Sequence, residues 1–421
     1  MSITAWIGIA VVLVTVWALI KRYETKLVLI TAGLFLACIS LQTMGALDAF
    51  AKSMTNNGLI LAICSSMGFA MVIQMTECDV HLVKLLSAPL SKFGFLLVPA
   101  TTALTYFICI AIPSAAGCAA AVGPTLIPLL LRAKVSPQAA GAAILAGTFG
   151  SMLSPGLSHN AYVAKISGLS VMQTIGVHMN YTLVCGAIAV IGVTVMCWIM
   201  KDYGTNSSQE QKLVEEGTSI HEISLFKALA PLIPVAILVV GNLWVPTLKT
   251  GVAQAMVIGA IYTLIVSRVE PQTFSKNFFA GMGKGYGQVL GIIISAGVFA
   301  AGLKTCGLID AFINVLKQSN EIARWGGSIG PFVMGVITGS GDAAAFAFNE
   351  AVTPHAQEFG MEIPTLGMMA ALSGALGRTM SPISGVAIVI CGLASINPID
   401  LTKRLWLPML IAVIFVALTM V

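Results

Sequence analysis

Charged side chains are scarce in this sequence. They make up 9% of its 421 residues, whereas apolar residues make up 57% and the mean hydropathy is +0.93. A soluble domain usually carries about 25% charged residues, so this composition excludes an ordinary soluble protein and requires lipid around the chain. No block of basic residues with interleaved aromatic residues is present, and this excludes nucleic acid as a partner.

Sequence motifs of several enzyme and metal-binding classes are also missing. No G-x-x-x-x-G-K-S/T sequence occurs, which excludes a nucleotide-driven pump of the P-loop type. The nine cysteines are scattered without a C-x-x-C pair, and we interpret them as packing residues rather than metal ligands or disulfide partners. We therefore expect no cofactor, no metal site and no enzyme activity.

Long apolar runs are abundant instead. A helix that spans the hydrocarbon core needs about 20 apolar residues. The candidate spans are residues 4–20, 27–45, 58–75, 174–199, 228–246, 250–267, 286–303 and 405–421. The first run has neither a basic segment before it nor a small-residue cleavage site after it, so we expect a retained span rather than a signal peptide. Residues 77–92 and 304–320 are predicted as amphipathic arms at the membrane surface.

Two further stretches are apolar but rich in Gly, Pro, Ser and Ala. Each is predicted to contain a re-entrant helical hairpin followed by a broken helix. An arm of about 15 residues is roughly 22 Å long and too short for a full span, while the Ser-Pro sequences are expected to interrupt a helix. The predicted hairpins are residues 98–132 and 321–359, and the predicted broken helices are residues 138–168 and 365–396.

An internal repeat relates these two stretches. A shift of 227 residues aligns residues 137–155 with residues 364–382 at seven identities, and it places one Ser-Pro sequence on the other. The sequence therefore predicts an all-α polytopic membrane protein made of two repeats, residues 1–200 and 225–421. Each repeat has three spans (within residues 228–303 in the second), a re-entrant hairpin, a broken span and a final span.

The distribution of basic residues indicates the orientation of the repeats. Five crossings per repeat is an odd number, so the second repeat is expected to be inverted, with residues 201–224 as a cytoplasmic linker. Of the 22 Lys and Arg residues, fifteen then fall on the cytoplasmic side and Arg378 in the membrane. The outer side holds only six, Lys52, Lys165, Lys249, Lys304, Lys317 and Arg324. By the positive-inside rule, this predicts a multi-pass protein of the bacterial inner membrane with both termini in the periplasm.

Inverted repeats with interrupted helices are typical of secondary transporters. A helix broken within the membrane has free N–H groups and a positive dipole end, which favour an anion. Arg378 lies three residues before a break, and we expect it to clamp a substrate carboxylate; the alternative is a fixed ion pair with Asp342 or Glu350. Asp342 either binds a coupling ion or pairs with Arg378. His159 either lines the site or caps the helix after the first break, and we favour the structural role.

The predicted substrate-binding residues lie at the hairpin tips and at the breaks. The hairpin tips contribute Ser114, Ala115, Gly117, Ser340, Gly341 and Asp342. The breaks contribute Ser154, Pro155, Ser158, Asn160, Arg378, Thr379, Ser381, Pro382 and Ser384. One substrate carboxylate is expected near Arg378, Thr379 and Ser384, and the other near Ser114, Ser158 and Asn160.

Residues 297–303, 338–344 and 376–386 resemble the DcuC family of anaerobic C4-dicarboxylate carriers. The resemblance is specific over about residues 290–410 and weaker over the rest of the chain. It implies a homodimer of the ion transporter superfamily, with a static scaffold domain and a transport domain that moves as an elevator. The implied substrate is a small dicarboxylate anion such as fumarate, succinate, malate or aspartate, carried by exchange or by symport with H⁺ or Na⁺.

This chain departs from the family at the site itself. Family members have Asn in place of Asp342, and a Thr-Ser-Gly-Asp type of break in place of residues 154–160. Two alternatives stay open. One is a cation/proton antiporter in which Asp342 binds the ion and Arg378 tethers it. The other is an intramembrane aspartyl protease, because residues 339–342 match its G-x-G-D motif, although the Tyr-Asp pair of that class is absent.

Overall fold

A computed structural model describes residues 3–21, 23–88, 96–204, 223–243, 250–316 and 320–420. These residues are almost entirely helical, and the β-type pairing among them is a single bridge between Val135 and Tyr203. The helices of the first half are α1 (Ile3–Ile20), α2 (Thr25–Ile39), α3 (Thr43–Met54), α4 (Asn57–Met75), α5 (Cys78–Ser87), α6 (Leu97–Ala111), α7 (Ala115–Arg132), α8 (Pro137–Gly147), α9 (Ser158–Ser167) and α10 (Val171–Ile199).

The second half repeats this order of elements from its middle onward. Its helices are α11 (Leu225–Leu229), α12 (Ile233–Leu243), α13 (Val252–Ser267), α14 (Pro271–Lys284), α15 (Gly291–Thr305), α16 (Leu308–Leu316), α17 (Asn320–Thr338), α18 (Gly341–Ala351), α19 (Ile363–Met380), α20 (Gly385–Ala394) and α21 (Pro398–Thr419). In each half, two helices joined by a short turn precede an interrupted helix and a long final helix.

Seven helical stretches of the described residues are long and apolar enough to cross a membrane. They are Asn57–Met75, Ala115–Arg132, Pro137–Ser167, Val171–Ile199, Pro271–Thr305, Ile363–Ala394 and Pro398–Thr419. Five shorter apolar helices accompany them. The prediction of an all-α polytopic membrane protein is confirmed at this level. Most of the predicted linker, residues 205–222, lies outside the described residues, as do residues 244–246 at the end of one predicted span.

Two predicted spans have different bounds in the structure. The prediction of a span over 27–45 was wrong at its end, because α2 ends at Ile39 and the left-handed backbone of Leu41 (φ 55°) turns the chain into the separate helix α3. The prediction of a span over 286–303 was wrong at its start. Helix α14 begins at Pro271 and continues into α15 through a π-helical turn, Gly285–Leu290. π-Helical turns inside α-helices occur frequently at functional sites.

Glycines seat each broken helix against the first arm of its hairpin. A methyl group on Gly150 would overlap the carbonyl oxygen of Tyr106 in α6, and one on Gly377 would overlap that of Phe332 in α17. Only glycine permits backbones to approach this closely. The two glycines occupy equivalent positions in the 227-residue repeat, so the same close packing occurs in both halves.

A buried polar network joins the end of the first half to the last helix. Asp202 accepts a hydrogen bond from Arg404 Nε (2.8 Å) and one from the hydroxyl of Ser136 (2.7 Å). Ser136 also caps the start of α8, where its Oγ accepts a hydrogen bond from the N–H of Ala139. Both charged side chains are buried. The network therefore fixes α8 relative to α21.

Candidate substrate-binding cavity

A cavity of about 330 Å³ lies where the hairpin tips meet the two helix breaks. Residues of the first hairpin, the first break and the π-helical turn surround it, together with residues of the second hairpin and the second break. Its lining includes Ser114, Ala115, Ser151, Gly156, Ser158, His159, Gln288, Gly339, Ser340, Gly341, Asp342, Arg378 and Gly385. Of the fifteen predicted site residues, seven are among these.

The two hairpin tips present serine side chains in the same way. Ser114 caps α7 by accepting a hydrogen bond from the N–H of Gly117 (3.1 Å), and Ser340 caps α18 by accepting one from the N–H of Ala343 (3.2 Å). A hydroxyl that accepts a capping bond still has its own proton to donate. Both tips therefore offer a donor to a ligand in the cavity.

The first break leaves a helix N-terminus uncapped beside the cavity. A 3₁₀ segment, Thr148–Leu153, ends before Ser154, and α9 starts at Ser158. The residue before α9 is Leu157, whose side chain makes no capping hydrogen bond. The first N–H groups of an α-helix lack partners within the helix and carry its positive dipole end. This N-terminus is therefore suited to an anion.

Arg378 contributes a free guanidinium group to the cavity. It lies in the last turn of α19, before the second break, and its side chain is only partly buried. Among the described residues, no hydrogen bond or ion pair involves this guanidinium. The expected alternative of a fixed ion pair with Asp342 or Glu350 is therefore not formed in this conformation. An unpaired cation within apolar helices is costly, so the cavity favours an anionic ligand.

Asp342 has a different partner, His159. The Nε2 atom of His159 lies 3.0 Å from Oδ1 of Asp342, and its ring stacks on Phe346 with centroids 4.5 Å apart. The His159 side chain is buried, whereas half of the Asp342 side chain is exposed to the cavity. Of the two roles expected for His159, the structure has the one in which it lines the cavity, where it contacts the carboxylate of Asp342.

Asn160 lies behind the cavity wall. Its amide group donates to the carbonyl oxygens of Met152 (2.8 Å) and Ser154 (2.9 Å), and its oxygen lies 3.0 Å from Nε2 of His178 in α10. The side chain is fully buried, and these three contacts hold the first break in shape. Asn160 therefore positions the break in this structure, whereas the sequence predicts a direct contact with the substrate.

Three further predicted residues, Thr379, Ser381 and Ser384, also face the protein. The Thr379 hydroxyl donates to the carbonyl oxygen of Ala375 (2.8 Å), and that of Ser381 donates to the carbonyl oxygen of Val336 (2.7 Å). Ser384 is buried and caps α20 through the N–H of Ala387. The residues outside the cavity lining are Gly117, Ser154, Pro155, Asn160, Thr379, Ser381, Pro382 and Ser384. They shape the tips and breaks rather than line the cavity.

Sequence reasoning missed the contribution of the π-helical turn. Gln288 and Val289 line the cavity from this turn, and Ile292 follows at the start of α15. The signal that could have found them is the run Gly281, Gly283, Gly285 and Gly287, which interrupts an otherwise regular helix. No group of three or more metal-ligating side chains occurs in the described part of the chain.

A second cavity, of about 530 Å³, adjoins the first. Ser114 and Met67 line both. The polar residues around the second are Gln74, Glu77, Asp79 and Lys284, beside apolar residues of α4, α5 and α7. Burial is the main cause that raises the pKa of Asp79 to about 6; the N–H of Val80 opposes the shift, and the nearby Glu77 adds to it. Asp79 lies in α5, outside the apolar stretches that can span a membrane.

Apolar helices with two hairpins, two interrupted helices and an anion-favouring cavity are the features of a multi-pass membrane transporter. The sequence profile of the C4-dicarboxylate anaerobic carriers, DcuC, matches residues 47–421. The chain therefore belongs to the DcuC family. Because this is a family of transporters, the intramembrane-protease alternative is excluded.

Two relatives illustrate the similarity. The anaerobic C4-dicarboxylate transporter DcuC of Escherichia coli K12 is 27% identical over 445 aligned residues, covering 97% of this chain and 94% of the relative. An uncharacterized transporter of Haemophilus influenzae is 51% identical over 279 residues, covering 64% of this chain and 100% of the relative.

Two solved structures share the fold. MtrF of Neisseria gonorrhoeae, from a class of antimetabolite efflux pumps, gives a TM-score of 0.62 at 13% identity, covering 90% of this chain and 84% of that one. The YdaH transporter of Alcanivorax borkumensis gives a TM-score of 0.58 at 13% identity, covering 89% and 86%. At this identity, the similarity concerns the fold alone.

Proposed function

We propose that this protein carries C4-dicarboxylates such as fumarate, succinate, malate or aspartate across the bacterial inner membrane, by exchange or by ion-coupled transport. The observation that carries the proposal is the unpaired guanidinium of Arg378 in the 330 Å³ cavity. Pockets for small ligands start at about 300 Å³, so a four-carbon acid fits. Membership of the DcuC family supports the same substrate class.

The two ends of a dicarboxylate have different partners in this proposal. Arg378 binds one carboxylate through two parallel hydrogen bonds, a geometry that its planar guanidinium favours. The uncapped N-terminus of α9 binds the other, together with the hydroxyls of Ser114, Ser158 and Ser340. Only one end of the substrate thus meets a full positive charge.

We further propose that the two halves are inverted repeats and that transport follows an elevator mechanism. The matched order of α6–α10 and α17–α21 supports the repeat, and so does the equivalent packing of Gly150 and Gly377. In this proposal the hairpins and broken helices form the moving domain of a homodimer. The segment 201–224 is a cytoplasmic linker, both termini are periplasmic, and H⁺ or Na⁺ is the coupling ion.

Cation/proton antiport is a second candidate, favoured by the contact between Asp342 and His159. A cation carrier moves Na⁺ or H⁺ without any carboxylate. A dicarboxylate carrier does not move either ion in the absence of its substrate. Vesicles that contain the purified protein and a pH-sensitive dye separate the two functions, because a sodium gradient alone changes the internal pH only in the antiporter.

Counterflow tests the proposed function directly. Proteoliposomes loaded with unlabelled succinate are placed in a trace of labelled succinate, and we expect transient accumulation of label. Arg378→Gln should abolish it, whereas Arg132→Gln, at the exposed end of α7, should not. Protein-free vesicles give the baseline. If no C4-dicarboxylate gives counterflow in the wild type, the proposal is refuted.

A further inference from the structure

His159 and Asp342 form a titratable pair at the wall of the substrate cavity. Their contact joins the first half of the chain to the second, since the two residues belong to α9 and α18. The Nε2–Oδ1 distance of 3.0 Å is that of a hydrogen bond. One member of the pair is buried, and the other is half exposed to the cavity.

The other ring nitrogen of His159 has no partner. Its Nδ1 is buried, and none of the described residues offers it a hydrogen bond. The tautomer of a histidine is normally fixed by the hydrogen bond that its second nitrogen makes. Because that bond is missing, no described residue fixes the tautomer. With Nε2–H donating to Oδ1, an added proton can be held by the half-exposed carboxylate of Asp342. A purely structural His–Asp contact does not require this freedom.

The charges around the cavity indicate a role for the His159–Asp342 pair. Arg378 contributes +1 and the Asp342 carboxylate −1, so the empty cavity is neutral while His159 is neutral. A dicarboxylate dianion brings this total to −2. Uncompensated charge among apolar helices is strongly unfavourable. One proton on the His159–Asp342 pair changes the total from −2 to −1.

Few other titratable groups face the pair. On the elements that pack around it, Arg378 of α19 acts on Asp342, and Cys109 of α6 lies near Arg378. Tyr162 of α9 packs edge-on against Phe346, beneath the His159 ring. A thiol and a phenol stay neutral near pH 7. Proton uptake at this site therefore falls to His159 and Asp342.

We infer that the His159–Asp342 pair takes up one proton when the dicarboxylate dianion binds, so that substrate and proton are carried together. The inference rests on the proposed function. It balances in charge and atoms: one dianion and one proton enter the cavity, and both leave it on release.

Proton counting during ligand binding tests the inference. The probe is fumarate, whose carboxyl groups titrate near about pH 4 and are ionised between about pH 6 and 8. Fumarate is added to purified protein in weak buffer with an indicator dye, at about pH 7.5. We expect uptake of about one proton per fumarate bound, and a dissociation constant that rises about tenfold per pH unit.

Three variants make the test specific. Asp342→Asn and His159→Gln should bind fumarate with no proton uptake and with a dissociation constant that is flat in pH. The glutamine variant keeps a donor at the position of Nε2, so it covers the case in which Asp342→Asn does not fold. The matched control is His355→Gln. It removes a second His–carboxylate pair, His355–Glu358, whose atoms are 2.8 Å apart and which lies outside the cavity.

The outcomes are distinct. Proton uptake that persists in Asp342→Asn and His159→Gln overturns the inference, and so does fumarate binding by the wild type without proton uptake. In both cases the proposed function survives, because fumarate still binds. If the wild type does not bind fumarate or any C4-dicarboxylate, the proposed function fails, and the inference fails with it.

Discussion

Arg404 and Asp202 form a buried ion pair between the last helix and the end of the first half of the chain. Arg404 donates to both carboxylate oxygens of Asp202, and the Ser136 hydroxyl completes the group. Removing one member of such a pair leaves the other charge buried and uncompensated. The cost is on the order of 3–5 kcal/mol. The pair is therefore a sensitive point for stability, although it is far from the substrate cavity in sequence.

The first prediction concerns this ion pair. Arg404→Met should lower the thermal unfolding temperature of the detergent-solubilised protein strongly. Arg404→Met combined with Asp202→Leu should recover much of the loss, because no charge is then left unpaired. Lys403→Met is the control: its partner Asp400 is near the surface, so the change should cost less than about 1 kcal/mol. Equal unfolding temperatures for Arg404→Met and Lys403→Met would contradict the prediction.

The second prediction concerns Gly150 and Gly377. Alanine at either position places a methyl group on a neighbouring carbonyl oxygen, and overpacking of this kind costs about 1–3 kcal/mol. Both variants should unfold at lower temperature than the wild type and lose counterflow. Gly176→Ala and Gly392→Ala meet nothing within 4 Å and should be neutral or slightly stabilising. A wild-type unfolding temperature for Gly150→Ala or Gly377→Ala would show that the packing is looser than described.

The third prediction concerns Arg378. Lysine keeps the charge but loses the planar fork that binds a carboxylate through two hydrogen bonds. Arg378→Lys should therefore weaken succinate binding at least about tenfold, or roughly 1.4 kcal/mol, at an unchanged unfolding temperature. Isothermal titration gives the dissociation constant. Arg132→Lys, at the exposed end of α7, is the matched control. Unchanged succinate affinity in Arg378→Lys would show that Arg378 does not clamp a carboxylate.

The fourth prediction separates residues that contact the ligand from residues that position the break. Ser158 lines the cavity and Asn160 does not. A hydrogen bond to a charged group contributes about 1.5–3 kcal/mol, so Ser158→Ala should weaken succinate about tenfold or more. Butyrate, which lacks the second carboxylate, should bind far more weakly than succinate to the wild type and be little affected by Ser158→Ala. Equal wild-type affinity for the two acids would rule out a two-ended site.

Asn160→Ala should behave differently from Ser158→Ala in the same titrations. Loss of its bonds to Met152 and Ser154 loosens the whole break, so succinate and butyrate should weaken by similar factors and the unfolding temperature should fall. The sequence alone predicted a selective loss of succinate affinity. A loss of affinity confined to succinate, at wild-type stability, would show instead that Asn160 contacts the substrate directly.

The fifth prediction concerns the pH dependence that Asp79 contributes. Its pKa in the folded protein is raised to about 6 from an ordinary value of 3.8. The folded state therefore binds the proton more tightly than the unfolded state. The resulting stabilisation is fully present below about pH 4 and is lost as pH rises through about 6. Asp79→Asn should remove this dependence and raise the unfolding temperature at pH 7.

The control for Asp79→Asn is Asp400→Asn, which changes a partly exposed carboxylate at the start of α21. Unfolding temperatures are recorded between about pH 4 and 7.5, at constant ionic strength. An Asp79→Asn profile that parallels the wild type across this range would show that Asp79 does not titrate as described.

Much of the architecture could be predicted from patterns that depend only on sequence order. The apolar runs gave most helices, and the Ser-Pro sequences gave the positions where α19 and the 3₁₀ segment after α8 end. Arg378 and Asp342 were expected to lie near each other, and the structure brings both to one cavity. These features follow from hydropathy and from the missing N–H of proline, which act locally.

The direction of side chains at the breaks could not be predicted in this way. His159 and Asn160 are neighbours in α9, yet one faces the cavity and the other faces α10. Successive residues of a helix point about 100° apart, and the rotation of α9 is set by long-range packing, including the stack of His159 on Phe346. Similarly, the π-helical turn depends on the contacts that α14 and the turn itself make with α4, which hydropathy does not encode.

Ser114 lies between the substrate cavity and the second cavity, and the substrate cavity is closed differently on its two sides. Toward α5, the tip of one hairpin and Met67 of α4 lie between the substrate cavity and the second cavity beside Asp79 and Lys284. Toward α3, helices α15 and α18 pack together and α3 covers α15. If the cavity binds the substrate, we expect release past α5 to be faster than release toward α3, where packed helices must part. The slower release should then limit turnover.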